Sequence, residues 1–146
     1  MLTAEASESV SRAPGEVFEF LGDVRNEPAW HTDVLEARLV SGAPDAPGAV
    51  YEIKTKPVMG ISGGKVTLAE YSPSSRIVYK VDMGRFQPTT TFTVSPEGSG
   101  ARVSRKVEME PSGIMRLMAP LMGGMFRKRN AMFIANLKHA LEGSPR

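Results

Sequence analysis

Arg105 is the polar residue whose spacing points most directly to chemistry. In the strand-like run RVSRKVEME it alternates with Val103, Val107 and Met109, so the pattern predicts that these side chains share one face. A guanidinium on an apolar face must be paired when it is buried. Arg105 therefore either binds a ligand carboxylate or keto group in bidentate fashion, or extends along the apolar surface to reach solvent.

Two tyrosines and a histidine are further candidates. Tyr51 and Tyr79 fall on the apolar faces of predicted strands, where a buried hydroxyl needs a hydrogen-bond partner. That partner is either a ligand oxygen or another group of the core. His31 is an acid–base candidate near neutral pH, but Asp33 is too close in sequence to form a dyad with it. Its neighbour Trp30 is most simply interpreted as a core residue.

A stripe of methionines marks the C-terminal segment. At ~100° per residue the five members fit within about one third of a helix's circumference: Met115, Met118, Met122, Met125 and Met132. The stripe is either the core face of a long helix or the deformable wall of an apolar pocket. Phe133 shares this face, and so do the polar residues Arg129 and Asn136, which either contact a ligand or reach a nearby strand end or solvent.

Short sequence motifs do not identify a catalytic or metal-binding site. Gly60–Gly64 matches the GxSxG nucleophile elbow, but that elbow needs a helix after it, and a strand-like run follows here. The same residues are more naturally interpreted as a mobile turn able to gate a cavity. Two histidines far apart in sequence and the absence of cysteine show no metal site, and we expect no metal or organic cofactor.

These residues need a sheet and a covering helix to bring them together. Six runs alternate with period two between turn signals, which predicts an antiparallel sheet with one wet face: 34–40, 50–56, 65–71, 77–83, 89–94 and 102–110. The inward positions predicted in these runs include Leu35, Ile53 and Phe92. A further strand and two short helices precede them. A helix from about residue 112 to 142 is the only element large enough to cover the sheet. Pro120, followed by Gly123-Gly124, predicts a bend or restart within it.

Composition narrows the classes of function. The chain has 146 residues, a net charge of +2, no cysteine and no apolar stretch long enough to span a bilayer. We expect one domain over residues 1–143 with a tail at 144–146, a cytoplasmic location and no stable membrane insertion. Basic residues are mostly scattered and aromatic residues do not interleave with them, so nucleic-acid binding is not expected.

With this element order, the chain resembles the START-type superfamily with the helix-grip fold, and more narrowly the polyketide cyclase/dehydrase-like branch of SRPBCC proteins. The resemblance covers nearly the whole chain and rests on these segments: Ala13-Pro14 followed by EVFEFL, Pro28 to His31, Gly48 to Tyr51, Glu70 to Pro73, Gly100 to Val103, and the closing NLKHALEG. It implies an α+β fold in which a seven-stranded curved antiparallel sheet wraps around the long helix and leaves a cavity between them.

The resemblance also implies a class of function. We expect the cavity to bind a small hydrophobic molecule such as a lipid or an aromatic polyketide. The residues expected to contact it are Trp30, Tyr51, Ile53, Tyr79, Phe92, Arg105, Met118, Met122, Met125, Arg129, Met132 and Phe133. The first alternative is a cyclase, aromatase or dehydratase, with His31, Arg105 and Tyr79 as weak catalytic candidates. The second is an interaction module that forms a homodimer.

Overall fold

The computed structural model describes residues 1–58, 60–73 and 75–143, and its sheet has seven antiparallel strands in the order β1-β7-β6-β5-β4-β3-β2. The strands are β1 (Leu2–Val10), β2 (Val34–Ser41), β3 (Val50–Val58), β4 (Ile61–Ser72), β5 (Arg76–Asp82), β6 (Thr89–Glu97) and β7 (Gly100–Met109). The helices are α1 (Pro14–Leu21), a 3₁₀ helix (Val24–Ala29) and α2 (Ile114–Glu142). This arrangement confirms the predicted helix-grip fold. The predicted tail at 144–146 lies outside the described residues.

The alternating pattern sets the orientation of the central strands. In β7 the inward side chains Val103, Arg105, Val107 and Met109 are all buried, and the residues between them are only partly buried. Since the side-chain period of a strand is two, four inward positions in a row fix the register of β7 between β1 and β6. The sequence pattern therefore predicted the inward position of Arg105 correctly.

Two local predictions are wrong. Leu35 was expected on the inner face, but the register of β2 against β3 shifts between Val34 and Glu36, and Leu35 is exposed. Such a bulge reverses the alternation by one residue. The turn expected at 60–64 is also shorter than predicted: Gly60 lies in a turn, whereas β4 begins at Ile61 and its Gly63 and Gly64 pair with β3. A Cβ at Gly63 would lie 2.8 Å from the Ile53 carbonyl oxygen, so close strand approach explains this glycine.

Helix α2 is a single helix from Ile114 to Glu142 with Pro120 inside it, so the helix does not restart at Pro120. Its C-terminal half is seated on the sheet through Ile134, Leu137 and Leu141, which are buried in the main core. In the N-terminal half, only Met115 and Gly123 are buried before Asn130. The helix is therefore closely packed at one end and leaves space beneath the other. None of the described helices is long and apolar enough to cross a membrane.

Candidate ligand-binding cavity

A cavity of about 340 Å³ lies between the sheet and the N-terminal half of α2. Strand residues such as Ile53, Val66 and Val107 form its floor, and Met122 and Phe126 of α2 form its roof. The 3₁₀ helix and the turn after it close one side. The volume is at the lower end of the range for small-molecule sites, and such sites combine apolar walls with a few polar groups.

Arg105 is the central polar group of this cavity. Its side chain is 8% exposed, and one terminal nitrogen donates a hydrogen bond of 2.5 Å to Oδ1 of Asn130 on α2. Asn130 Nδ2 donates in return to the Arg105 carbonyl oxygen at 3.0 Å. The guanidinium carbon lies 5.7 to 5.9 Å from the ring centroids of Trp30, Phe92 and Phe133, which is cation–π distance. The aromatic rings and Asn130 therefore fix the position of the charge.

The charge of Arg105 is not neutralised by an ion pair. Among the residues that the structure describes, no carboxylate lies within 4.0 Å of its guanidinium, and its buried Nε has no hydrogen-bond partner. Burial lowers the pKa of Arg105 to about 10, and the more distant Glu27 carboxylate opposes this shift. The group therefore stays protonated at neutral pH.

Glu27 of the 3₁₀ helix also lines the cavity and was not identified from the sequence. Burial raises the pKa of its carboxyl group to about 7, although the positive charge of Arg105 acts in the opposite direction. A carboxyl group with this pKa can hold or release a proton at neutral pH.

His31 lines the cavity but does not titrate near neutral pH. Burial and the nearby Arg105 charge lower its pKa to about 3, so the imidazole is neutral at pH 7. Its ring stacks on Phe133 with 4.0 Å between centroids. The expected acid–base role near neutral pH is therefore better suited to Glu27 than to His31.

The cavity opens beside an ion pair between α2 and the turn before β2. Arg129 donates a short hydrogen bond to the Asp33 carboxylate, and both residues line the cavity. The Arg129 guanidinium also lies over the Phe133 ring at 5.3 Å. Met125, which is 67% exposed, forms part of the same opening.

The two tyrosines occupy different places. Tyr79 lines the cavity, but its hydroxyl donates a 2.6 Å hydrogen bond to the Leu21 carbonyl oxygen. Burial, together with the negative charge of Glu27, raises the pKa of Tyr79 well above its ordinary value. The Tyr79 hydroxyl therefore stays protonated, and its proton is donated to the Leu21 carbonyl oxygen. Tyr51 is fully buried in the core and does not line the cavity.

All the site residues predicted from the sequence fall into two groups, those that line the cavity and those that do not. Eight of the predicted side chains line the cavity: His31, Ile53, Tyr79, Arg105, Met122, Met125, Arg129 and Phe133. Five do not: Trp30, Tyr51 and Phe92 are buried in the core, whereas Met118 and Met132 are exposed. At ~100° per residue, the latter two lie about 40° and 80° around α2 from Met122. The methionine stripe is therefore split between the cavity and the outer surface.

Three buried polar atoms without a hydrogen-bond partner among the described residues belong to cavity-lining side chains. They are His31 Nδ1, Thr55 Oγ1 and Arg105 Nε. Unpaired buried polar atoms are rare in native proteins because each one costs about 1–3 kcal/mol. No group of three or more His, Cys, Asp or Glu residues that could hold a metal ion occurs in the described parts of the chain.

Comparisons with known proteins agree with this architecture. The family model described as polyketide cyclase / dehydrase and lipid transport matches residues 1–142. A START superfamily protein from Mycobacterium smegmatis superposes with a TM-score of 0.73 at 15% identity, with 98% of this chain and 96% of that chain covered. A protein from Thermus thermophilus gives a TM-score of 0.75 at 15% identity, with 95% of this chain and 96% of that chain covered. No curated protein matches the chain.

Proposed function

This chain belongs to the polyketide cyclase / dehydrase and lipid transport family, and we propose that it binds a small, mainly apolar molecule in the cavity between the sheet and α2. The ligand carries a carbonyl or carboxylate oxygen that accepts hydrogen bonds from Arg105. Its apolar part contacts the methionine and phenylalanine side chains of α2.

The observation that carries this proposal is the state of Arg105. A buried guanidinium with one side-chain acceptor, an unpartnered Nε and no carboxylate within 4.0 Å among the described residues retains unused donor capacity inside an apolar cavity. Removing such a charge from water costs several kcal/mol, which an isosteric apolar residue would not incur. A ligand oxygen supplies the missing acceptor, and the fixed fork of the guanidinium suits a carboxylate or a carbonyl pair.

The roof of the cavity is able to adapt to apolar ligands of different shapes. Met115, Met122 and Met125 all line it, and unbranched thioether side chains adapt to irregular apolar surfaces. The description of the family, which includes lipid transport, supports an apolar ligand.

The test compares ligands that share a chain and differ in the polar end. Dodecanoic acid, a methyl ketone of similar length and dodecane are titrated against the wild-type protein by calorimetry and native mass spectrometry. We expect the acid and the ketone to bind at least tenfold more tightly than the alkane, because a hydrogen bond to a charged donor contributes about 1.5–3 kcal/mol. Arg105→Met should remove this preference and leave alkane binding.

Two further variants serve as controls. Arg102→Met changes an arginine at the wet face of the same strand, where it pairs with Glu97, and should leave all three affinities unchanged. Arg105→Lys keeps the charge without the fork and should give an intermediate preference. Retention of the wild-type preference by a folded Arg105→Met protein would contradict the proposed role of Arg105. If none of the three ligands binds the wild-type protein, the proposed function itself is wrong.

A second candidate function is proton transfer next to a bound carbonyl group. The specific observation that favours it is Glu27, whose carboxyl group has a pKa of about 7 and lines the same cavity as the cationic Arg105. A base of this pKa removes a proton from the carbon beside a carbonyl, while the guanidinium stabilises the oxygen of the resulting enolate. Cyclisation and dehydration of polyketides both begin with such a step.

This reaction is measurable without the natural substrate. A cavity-sized β-ketoester is incubated with the protein in D₂O, and exchange of its α-protons is followed by NMR. We expect catalysed exchange that Glu27→Gln abolishes and Glu19→Gln, a change at an exposed position of α1, leaves intact. Exchange at the rate of the protein-free solution would restrict the function to binding.

A further inference from the structure

The N-terminal half of α2 presents a row of large apolar side chains to solvent. Leu117 and Leu121 are 80% and 83% exposed, and Ile114 is 68% exposed. At ~100° per residue, six exposed apolar residues fall within an arc of about 100°. They form the apolar row: Ile114, Leu117, Met118, Leu121, Met125 and Met132. Contiguous apolar surface of this kind on a folded domain marks an interaction site.

The same half of the helix is basic. Lys128 lies within the arc of the apolar row, and Arg127 lies about 80° beyond one edge. Arg129 lies about 20° beyond the other edge, where it is paired with Asp33. The sequence of α2 contains no acidic residue before Glu142. An exposed apolar stripe flanked by Lys and Arg is the pattern of helices that lie in the interface of an anionic membrane.

We propose that the apolar row docks on the surface of a membrane that contains anionic lipids. The large side chains enter the boundary between headgroups and acyl chains, and the cations contact lipid phosphates. The helix lies along the surface and does not span the bilayer. This inference goes beyond ligand binding in the cavity, since docking requires no occupant there.

Charge complementarity favours a membrane over a second copy of the chain. A two-fold symmetric dimer brings the same surface of each copy together, so residue contacts are reciprocal. The apolar row would then meet its own cations, and α2 supplies no carboxylate along the row to neutralise them. Anionic headgroups supply that charge at about 1 kcal/mol for each Lys or Arg near the surface.

The apolar row is also continuous with the opening of the cavity. Met125 is 67% exposed as part of the row and lines the cavity as well. Docking through the row would therefore bring the cavity opening to the membrane. An apolar molecule could then pass between bilayer and cavity without crossing bulk water.

Vesicle flotation tests this proposal with ligand-free protein. We expect wild-type protein to float with vesicles of phosphatidylcholine and phosphatidylglycerol, and much less with phosphatidylcholine alone or in high salt. Leu117→Gln/Leu121→Gln removes two exposed side chains of the row and should weaken binding more than tenfold. Arg127→Gln/Lys128→Gln should weaken it about fivefold per cation and reduce its salt dependence.

The chain offers a matched control. Leu35 and Val40 are 53% and 47% exposed on β2, so Leu35→Gln/Val40→Gln makes the same kind of change away from α2 and should leave flotation unchanged. Equal loss in this control variant, or failure of the wild-type protein to bind anionic vesicles, would overturn the proposal. A wild-type dimer in light scattering that Leu117→Gln/Leu121→Gln converts to a monomer, without an effect on flotation, would assign the row to self-association instead.

Discussion

Replacing Glu27 by glutamine should stabilise the folded protein by an amount that grows with pH. The carboxyl pKa is about 7 in the folded chain against an ordinary value of 4.5, because burial disfavours the charged form. Between these two values the folded chain retains a proton that the unfolded chain has released. The contribution of Glu27 to stability therefore falls as the pH rises through this window and levels off above pH 7.

The size of the effect follows from the two pKa values. At 1.36 kcal/mol per unit, Glu27 lowers the free energy of unfolding by about 1 kcal/mol at pH 5 and by about 3 kcal/mol at pH 8. The side chain is only partly buried, so these figures are upper bounds. Glutamine has nearly the same shape and no charge. Glu27→Gln should therefore exceed the wild-type stability by up to about 2 kcal/mol more at pH 8 than at pH 5.

Urea unfolding at several pH values measures this difference. Subtraction of the wild-type from the variant free energy removes the contributions of other titrating groups, which is necessary because His31 acts in the opposite direction. Glu19→Gln makes the same substitution at an exposed position and serves as the matched control. A pH-independent difference for Glu27→Gln would refute the argument that burial perturbs this carboxyl group.

Two further variants examine the polar groups around the cavity. His31→Gln should be more stable than the wild-type protein at acid pH. The pKa of His31 is about 3 in the folded chain against 6.5 in the unfolded chain, so protonation at acid pH favours unfolding. In urea titrations the gain should reach at most about 2 kcal/mol at pH 5 and vanish above pH 7. Asn130→Ala should destabilise the protein by about 3 kcal/mol in thermal or urea unfolding, since it removes both hydrogen bonds with Arg105 and leaves the buried charge without an acceptor. Asn136→Ala on the same helix is the control, and an equal loss there would contradict this explanation.

Alternation along the strands was enough to predict most of the sheet. The inward positions of β3, with Tyr51, Ile53 and Thr55, and those of β7 are all buried as expected. Each depends on the sequence of one strand and on the fact that neighbouring side chains point to opposite faces. The placement of Arg105 follows from the same rule. Leu35 was misplaced because a bulge depends on the pairing with β3, which the sequence of β2 does not contain.

The orientation of α2 was harder to predict because the helix has two apolar arcs. One arc, which includes Met122, Phe126 and Phe133, faces the sheet, while another, which includes Leu117 and Leu121, faces solvent. Helical spacing identifies both arcs but does not decide which one is buried. The methionines lie across the boundary between them, so the stripe indicated the correct helix and only part of the correct face.

Polar groups at the cavity depend on contacts between distant parts of the chain. Glu27 has an ordinary sequence environment, and its raised pKa results from burial within the folded chain. Asn130 becomes the partner of Arg105 only when α2 crosses β7. Spacing within one segment reports neither contact, which is why Glu27 and Asn130 were absent from the residues expected at the site.

The distribution of these polar groups supports our proposal that the cavity binds a ligand. The C-terminal half of α2 is closed against the core by the apolar side chains of Ile134, Leu137 and Leu141. The buried cation and the perturbed carboxyl group both lie under the other half, where each costs stability that an apolar side chain of similar volume would not. A fold able to pack one half of the helix so completely could fill the other half in the same way. A cation and a carboxyl group that both lower the stability of the protein lie at the same cavity. This is expected at a binding site, where the bound ligand compensates for the lost stability.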